Sequence, residues 1–78
     1  MAIKLLDGAD APAKLRAARA LLDESQGVFA ARFGVSPEWL ARLESGAATP
    51  NLKVAVLIEE LTGILPTEWI TSSEAAIA

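Results

Sequence analysis

Residues 26–45, Gln-Gly-Val-Phe-Ala-Ala-Arg-Phe-Gly-Val-Ser-Pro-Glu-Trp-Leu-Ala-Arg-Leu-Glu-Ser, decide the fold. They read as a pair of short helices joined by a tight turn at Gly34. Ser25 is the N-cap of the first helix, because its hydroxyl can accept a hydrogen bond from an otherwise unpartnered amide. Phe29 and Phe33 lie four apart and stack on one face. Gly34 permits the left-handed backbone that ends a helix. Ser36-Pro37-Glu38 then restarts one. Serine caps, proline occupies a first-turn position where a missing N–H costs nothing, and glutamate faces the positive end of the helix dipole. Leu40 and Leu43 turn inward, with Trp39 and Arg42 on the other side. Helix, short glycine-containing turn, helix is the helix-turn-helix arrangement.

Outward from this stretch the chain continues in the same style. Asp10 is a plausible N-cap with Pro12 near the first helical position, opening a helix over residues 11–23. Leu15, Ala18, Leu22 and Leu21 make its apolar face, and Lys14, Arg16 and Arg19 are left for solvent or phosphate. Gly46 ends the helix that begins at Ser36. After the loop Ala47-Ala48-Thr49-Pro50, Asn51 caps a fourth helix over residues 52–62, closed by Gly63. Val54, Ala55, Leu57, Ile58 and Leu61 give that helix more apolar surface than one small core requires. Thr67 can cap a short fifth helix with Glu68, Trp69 and Ile70. The tail, residues 71–78, has little to hold it and is expected to fray. At the other end Ile3, Leu5 and Leu6 fit a short strand or a helical turn, and Asp7-Gly8 reads as a turn. The expected organisation is an N-terminal extension over 1–10, one domain over 11–70, and the tail.

Composition bounds the function. The chain has 78 residues, room for one small domain. Its hydrophobic content of 53%, rich in alanine and leucine, favours helices. It contains no cysteine and no histidine, so there is no thiol nucleophile, no thiolate metal site and no imidazole base. With no glycine-rich phosphate loop either, an enzyme is not expected, and neither is a cofactor or a metal. The longest unbroken apolar run, residues 54–58, is far too short to span a bilayer. The start, Met1-Ala2-Ile3-Lys4-Leu5-Leu6, meets Asp7 and Gly8 at once and does not read as a signal peptide. A soluble cytoplasmic protein is expected. The net charge is −3, awkward for a chain that must approach phosphates. Placement counts for more than the sum, and a local basic face on an acidic chain predicts modest affinity with a shallow salt dependence.

Leu15-Arg16, Arg19, Ser25-Gln26, Ala30, Gly34-Val35-Ser36, Leu40, Leu43-Glu44, Gly46 and Pro50 fall in the register of the phage-repressor-like helix-turn-helix family, the Cro and xenobiotic-response-element type. The run from Pro50 to Trp69, with Ile58-Glu59, Thr62-Gly63-Ile64 and Trp69, resembles small prophage Cro-like regulators. The resemblance implies an all-α domain of four to five helices that binds double-stranded operator DNA, usually as a homodimer. It implies base reading by Ser36, Pro37, Glu38, Trp39 and Arg42, and phosphate contacts from Arg19, Ser25, Gln26, Thr49, Asn51 and Lys53. Leu65, Trp69 and Ile70 are the expected dimer contacts, with Trp69 also contributing to the core.

The chain departs from the family in its details. Ala47-Ala48-Thr49 lacks the basic residues often found in that loop. Pro37 has no side-chain donor, and Glu38 can only accept, which suits cytosine N4. Arg42 alone can pair bidentately with guanine; its plainer reading is a solvated residue paired with Glu38 at i,i+4. An outward Trp39 serves as a groove contact, a lid on the core edge or an anchor for a protein partner. The alternative function is therefore a protein-interaction module on the same fold, an anti-repressor or antitoxin-like partner of another regulatory protein.

Overall fold

The computed structural model describes residues 10–70. In chain order these form α1 (Ala11–Leu21), α2 (Gln26–Phe33), α3 (Pro37–Ser45), α4 (Leu52–Thr62) and a 3-10 helix (Pro66–Trp69), with no strand among the described residues. The domain is all-α, as its sequence pattern implied. The readings of residues 1–9 and of the tail 71–78 lie outside the described residues.

Each α-helix starts on a side-chain cap. Asp10 accepts from the Ala13 N–H, Ser25 from Val28, Ser36 from Trp39 and Asn51 from Val54. Each of these bonds satisfies one donor that the first turn leaves without an intrahelical acceptor. At the other ends Gly34, Gly46 and Gly63 adopt left-handed conformations with φ of 69°, 81° and 81°. α1 is the exception. It has no glycine near its end and stops at Leu21, two residues short of the expected Asp23. Asp23 itself takes φ 54°, a left-handed conformation that short acidic side chains tolerate better than most.

The core gathers the inward face of every helix: Ala11, Leu15 and Ala18 from α1, Phe29, Ala30 and Phe33 from α2, Leu40 and Leu43 from α3, and Val54, Ala55 and Ile58 from α4. Ile64 and Trp69 close it. Phe29 and Phe33 meet edge to face, with centroids 5.0 Å apart, the arrangement their quadrupoles favour. Burying a large apolar side chain of this kind is worth about 1.5–3 kcal/mol, so these few residues carry most of the domain's stability.

α4 differs from its expected pattern. Only one face is buried, by Val54, Ala55, Ile58 and Thr62, while Leu52 and Val56 are exposed. Thr62 is buried without penalty because its hydroxyl donates to the Ile58 carbonyl (2.7 Å) and accepts from the Ile64 N–H (3.1 Å). The last element is a 3-10 helix that Thr67 does not cap. Leu65 stands at the N-cap position and Pro66 sets the first turn. The capping acceptor is the Glu68 carboxylate, 2.8 Å from the Leu65 N–H. Lys14 of α1 pairs with that same carboxylate and ties the 3-10 helix to the first helix.

Candidate nucleic-acid interface

The turn Gly34-Val35-Ser36 sets α2 and α3 at an angle while Leu40 and Leu43 lock α3 onto the core. What remains outward on α3 is Pro37, Glu38, Trp39 and Arg42, all exposed, with the capping Ser36 beside them. A methyl group placed on Gly27, in the first turn of α2, would lie 4.0 Å from Cγ of Pro37. The first turns of α2 and α3 therefore share one edge, where α2 presents the Gln26 and Gly27 N–H groups and α3 that of Glu38 alone, since Pro37 has none and the Trp39 N–H is bonded to Ser36. Helix N-termini favour anions through those N–H groups and the helix dipole.

Arg42 does not pair with Glu38. Its guanidinium carbon sits 5.5 Å from the centroid of the Trp39 ring, one helical turn away on the outward face. An exposed cation–π contact of this kind is worth about 0.5–1 kcal/mol. It holds the guanidinium against the indole while its N–H groups remain available. No acidic side chain neutralises Arg42 among the described residues.

Behind α3 lies a polar cluster whose centre the sequence reading left out of the site. Glu44 is 3% exposed. Its carboxylate accepts from Nε of Arg19 at 2.7 Å, Nη2 of Arg19 at 3.1 Å and Nε2 of Gln26 at 3.1 Å. The remaining terminal nitrogen of Arg19 donates to the Glu24 carbonyl at 3.1 Å. Glu44 holds the Arg19 guanidinium above its ordinary pKa. Arg19, expected at a phosphate, thus has every side-chain nitrogen bonded inside the molecule. It serves as a clamp joining α1, α2 and α3. Gln26 is partly drawn inward as well, although its carbonyl and its second N–H stay free of these bonds. The signal for Glu44 was present in the sequence: it follows Leu40 by one turn and so lies on the buried face.

Arg16 donates to the Glu44 carbonyl at the C-terminal end of α3, a position where the dipole welcomes a cation. With Arg42 and Lys53 it completes the basic residues that have no carboxylate partner among the described residues. The other cations are committed elsewhere: Lys14 to Glu68, and Arg32 to Glu24 at 2.5 Å. Arg32 holds the Glu24 carboxyl below its usual range. Ser25, Thr49, Asn51 and Lys53 are exposed, and the Asn51 amide keeps its N–H groups free because only its carbonyl caps α4. Leu65 and Ile70 are exposed, but Trp69 is only 6% exposed and belongs to the core of its own chain. Little of its surface is left for a partner, because the 3-10 helix turns the indole inward between α1 and α4.

Four helices, each opened by a side-chain cap, with the second and third joined by a short glycine-containing turn and the third presenting Glu38, Trp39 and Arg42 outward, define a helix-turn-helix protein. The sequence profile of the helix-turn-helix family matches residues 15–70, and the chain belongs to that family, in its phage-repressor-like, Cro/C1-type branch. Proteins of this family are DNA-binding transcription regulators. No match was found among curated proteins or among solved structures. No helix among the described residues is long and apolar enough to cross a membrane, and no group of side chains among them could hold a metal ion.

Proposed function

We propose that this protein regulates transcription by binding a specific operator in duplex DNA as a homodimer, with α3 in the major groove. The observation that carries this reading is the outward pair on α3: an uncompensated Arg42 guanidinium stacked on Trp39 and flanked by Ser36 and Glu38. Arg42 supplies the fork of donors that matches O6 and N7 of guanine, and Glu38 the acceptor that suits cytosine N4. Adjacent bases of one half-site are then read by an acid and a base one helical turn apart. Trp39 supplies an apolar edge for a thymine methyl or a sugar.

The N-terminal turns of α2 and α4 grip the backbone through Ser25, Gln26, Thr49 and Asn51, with N–H groups more than with charge. Few cations are free to meet phosphates, so the logarithm of affinity falls only by about 2–3 per tenfold rise in salt. In a two-fold dimer the half-sites lie roughly one DNA turn apart.

Selection from a pool of random duplexes, followed by binding at several salt concentrations, tests this. Enrichment of an inverted repeat containing guanine is expected, and Arg42→Ala should weaken binding to it by about 1–3 kcal/mol and relax the choice at the guanine. Failure to enrich any sequence, with no salt-sensitive binding, would favour the protein-interaction module on the same fold, for which exposed Trp39 is the natural anchor.

A further inference from the structure

α4 carries a second, unburied face. Leu52 is 74% exposed and Val56 38% exposed, one turn apart on the side away from the core. Lys53 and Glu60 are both exposed, and neither has a side-chain partner among the described residues. Arg32 lines the same shallow groove as Glu60, but its guanidinium is held by Glu24. Glu59, half-buried, is the other acid on this part of the helix.

The positions of these residues repeat in a telling way. Lys53 and Glu60 are seven apart, so on a helix they lie on the same flank of the Leu52–Val56 stripe. In an antiparallel pair of identical helices, equivalent flanks face each other. Lys53 near the start of one helix then meets Glu60 near the end of the other, and the reverse pair forms at the same time. The two-fold axis falls between Val56 and Leu57. Parallel pairing would instead place the two copies of this flank on opposite sides of the seam, so that Lys53 and Glu60 would not meet across it.

We infer that the partner on this face is a second copy of the chain, docked antiparallel along α4, with Val56 at the two-fold axis and Lys53 paired to Glu60 of the partner subunit. The inference deepens the homodimer reading by giving it an interface. It assigns Lys53 to the partner, and the phosphate grip at this end of α4 stays with Asn51 and Thr49. α4 has 11 residues, about 16 Å of helix. Two such helices cover less than the roughly 1,200 Å² at the low end of stable interfaces. Association in free solution is therefore weak, and DNA that holds both subunits completes it.

The absence of cysteine from the sequence makes the test direct. Single cysteines are introduced at exposed positions and the full chain is oxidised mildly at high concentration without DNA. Val56→Cys should form a disulfide-linked dimer, because its two copies are offset along the paired helices by only about 1.5 Å. Leu52→Cys should not, because its copies are offset by about 13 Å, beyond the roughly 7 Å that a disulfide can bridge. Charge reversal supplies a second readout by sedimentation at low salt. Lys53→Glu and Glu60→Lys should each weaken self-association about tenfold or more, since each turns both pairs repulsive. Mixing the two variants should restore a heterodimer, in which both pairs are again attractive. A Val56→Cys chain that stays monomeric while Leu65→Cys or Leu52→Cys cross-links, or a mixture no more associated than its components, would overturn the inference. Because DNA is absent from these measurements, either result leaves the operator-binding reading to be judged by its own experiment.

Discussion

Replacing Arg19 with methionine tests the clamp that fixes α3 to the rest of the domain. The Glu44 side chain is 4% exposed, against 26% for Arg19. Removing the cation strands a buried carboxylate with only the Gln26 amide at 3.1 Å. Breaking a fully buried pair from one side costs about 3–5 kcal/mol. The groove beside Arg19 admits some water to the exposed edge of the pair, so about 2–4 kcal/mol is expected here. At roughly 0.05–0.15 kcal/mol per residue, that is a large part of the stability of a domain this small. Glu44→Leu strands a guanidinium that can turn outward, and should cost less, about 1–3 kcal/mol. The double variant Arg19→Met with Glu44→Leu removes both charges and should regain most of what Arg19→Met lost. Urea unfolding followed by far-ultraviolet circular dichroism measures all three. A loss below about 1 kcal/mol for Arg19→Met, or a double variant no more stable than that single one, would refute the clamp.

Other consequences can be measured in the same way. Gly34→Ala should destabilise the domain by about 1–2 kcal/mol, because φ at this position is 69° and the added methyl meets nothing to compensate. Gly27→Ala should do the opposite and raise stability by about 0.5–1 kcal/mol, since its new methyl meets only Ser25 and Pro37 at ordinary contact distances; if the α2 N-terminus grips a phosphate, the same variant should bind DNA more weakly. Ser36→Ala removes the cap of α3 and should cost about 1 kcal/mol in thermal or urea melts. At Glu68 burial raises the carboxyl pKa, but Lys14 and the Leu65 N–H outweigh burial and hold it below its ordinary value of 4.5; Arg32 does the same for Glu24. Both groups therefore contribute stability that is complete above that value and is lost as the pH falls through their lower folded-state values. Denaturation midpoints compared at neutral and strongly acidic pH should show this decline.

Much of this fold is written locally. Asp10, Ser25, Ser36 and Asn51 cap because each carries an acceptor one residue before a helical stretch, and Gly34, Gly46 and Gly63 end helices because a residue without a Cβ takes the left-handed conformation freely. Those features need no knowledge of the rest of the chain. The end of α1 is not legible in this way, because no glycine marks it and Asp23 supplies the left-handed residue instead. The contacts between distant residues are of another kind. Arg19 meets Glu44 across 25 positions and Lys14 meets Glu68 across 54, and such pairs exist only once α1 has packed against α3 and the 3-10 helix. For that reason Arg19 reads from sequence as a free cation, and Trp69 is legible as core plus dimer contact, without the 3-10 helix that gives nearly all of it to the core. The exposed half of the site was easier to see. The spacing that sends Leu40 and Leu43 inward must send Trp39 and Arg42 outward. That the cation turns to the indole rather than to Glu38 is a matter of side-chain rotamers, on which sequence is silent.

If Arg42 on α3 reads guanine from the major groove, binding should shield guanine N7 from methylation. On the selected duplex, the bound protein should protect one guanine in each half-site from dimethyl sulfate, and Arg42→Ala should lose that protection while its fold, judged by circular dichroism, is unchanged. Full binding with every guanine N7 still reactive, or protection identical in the variant, would show that Arg42 does not read guanine.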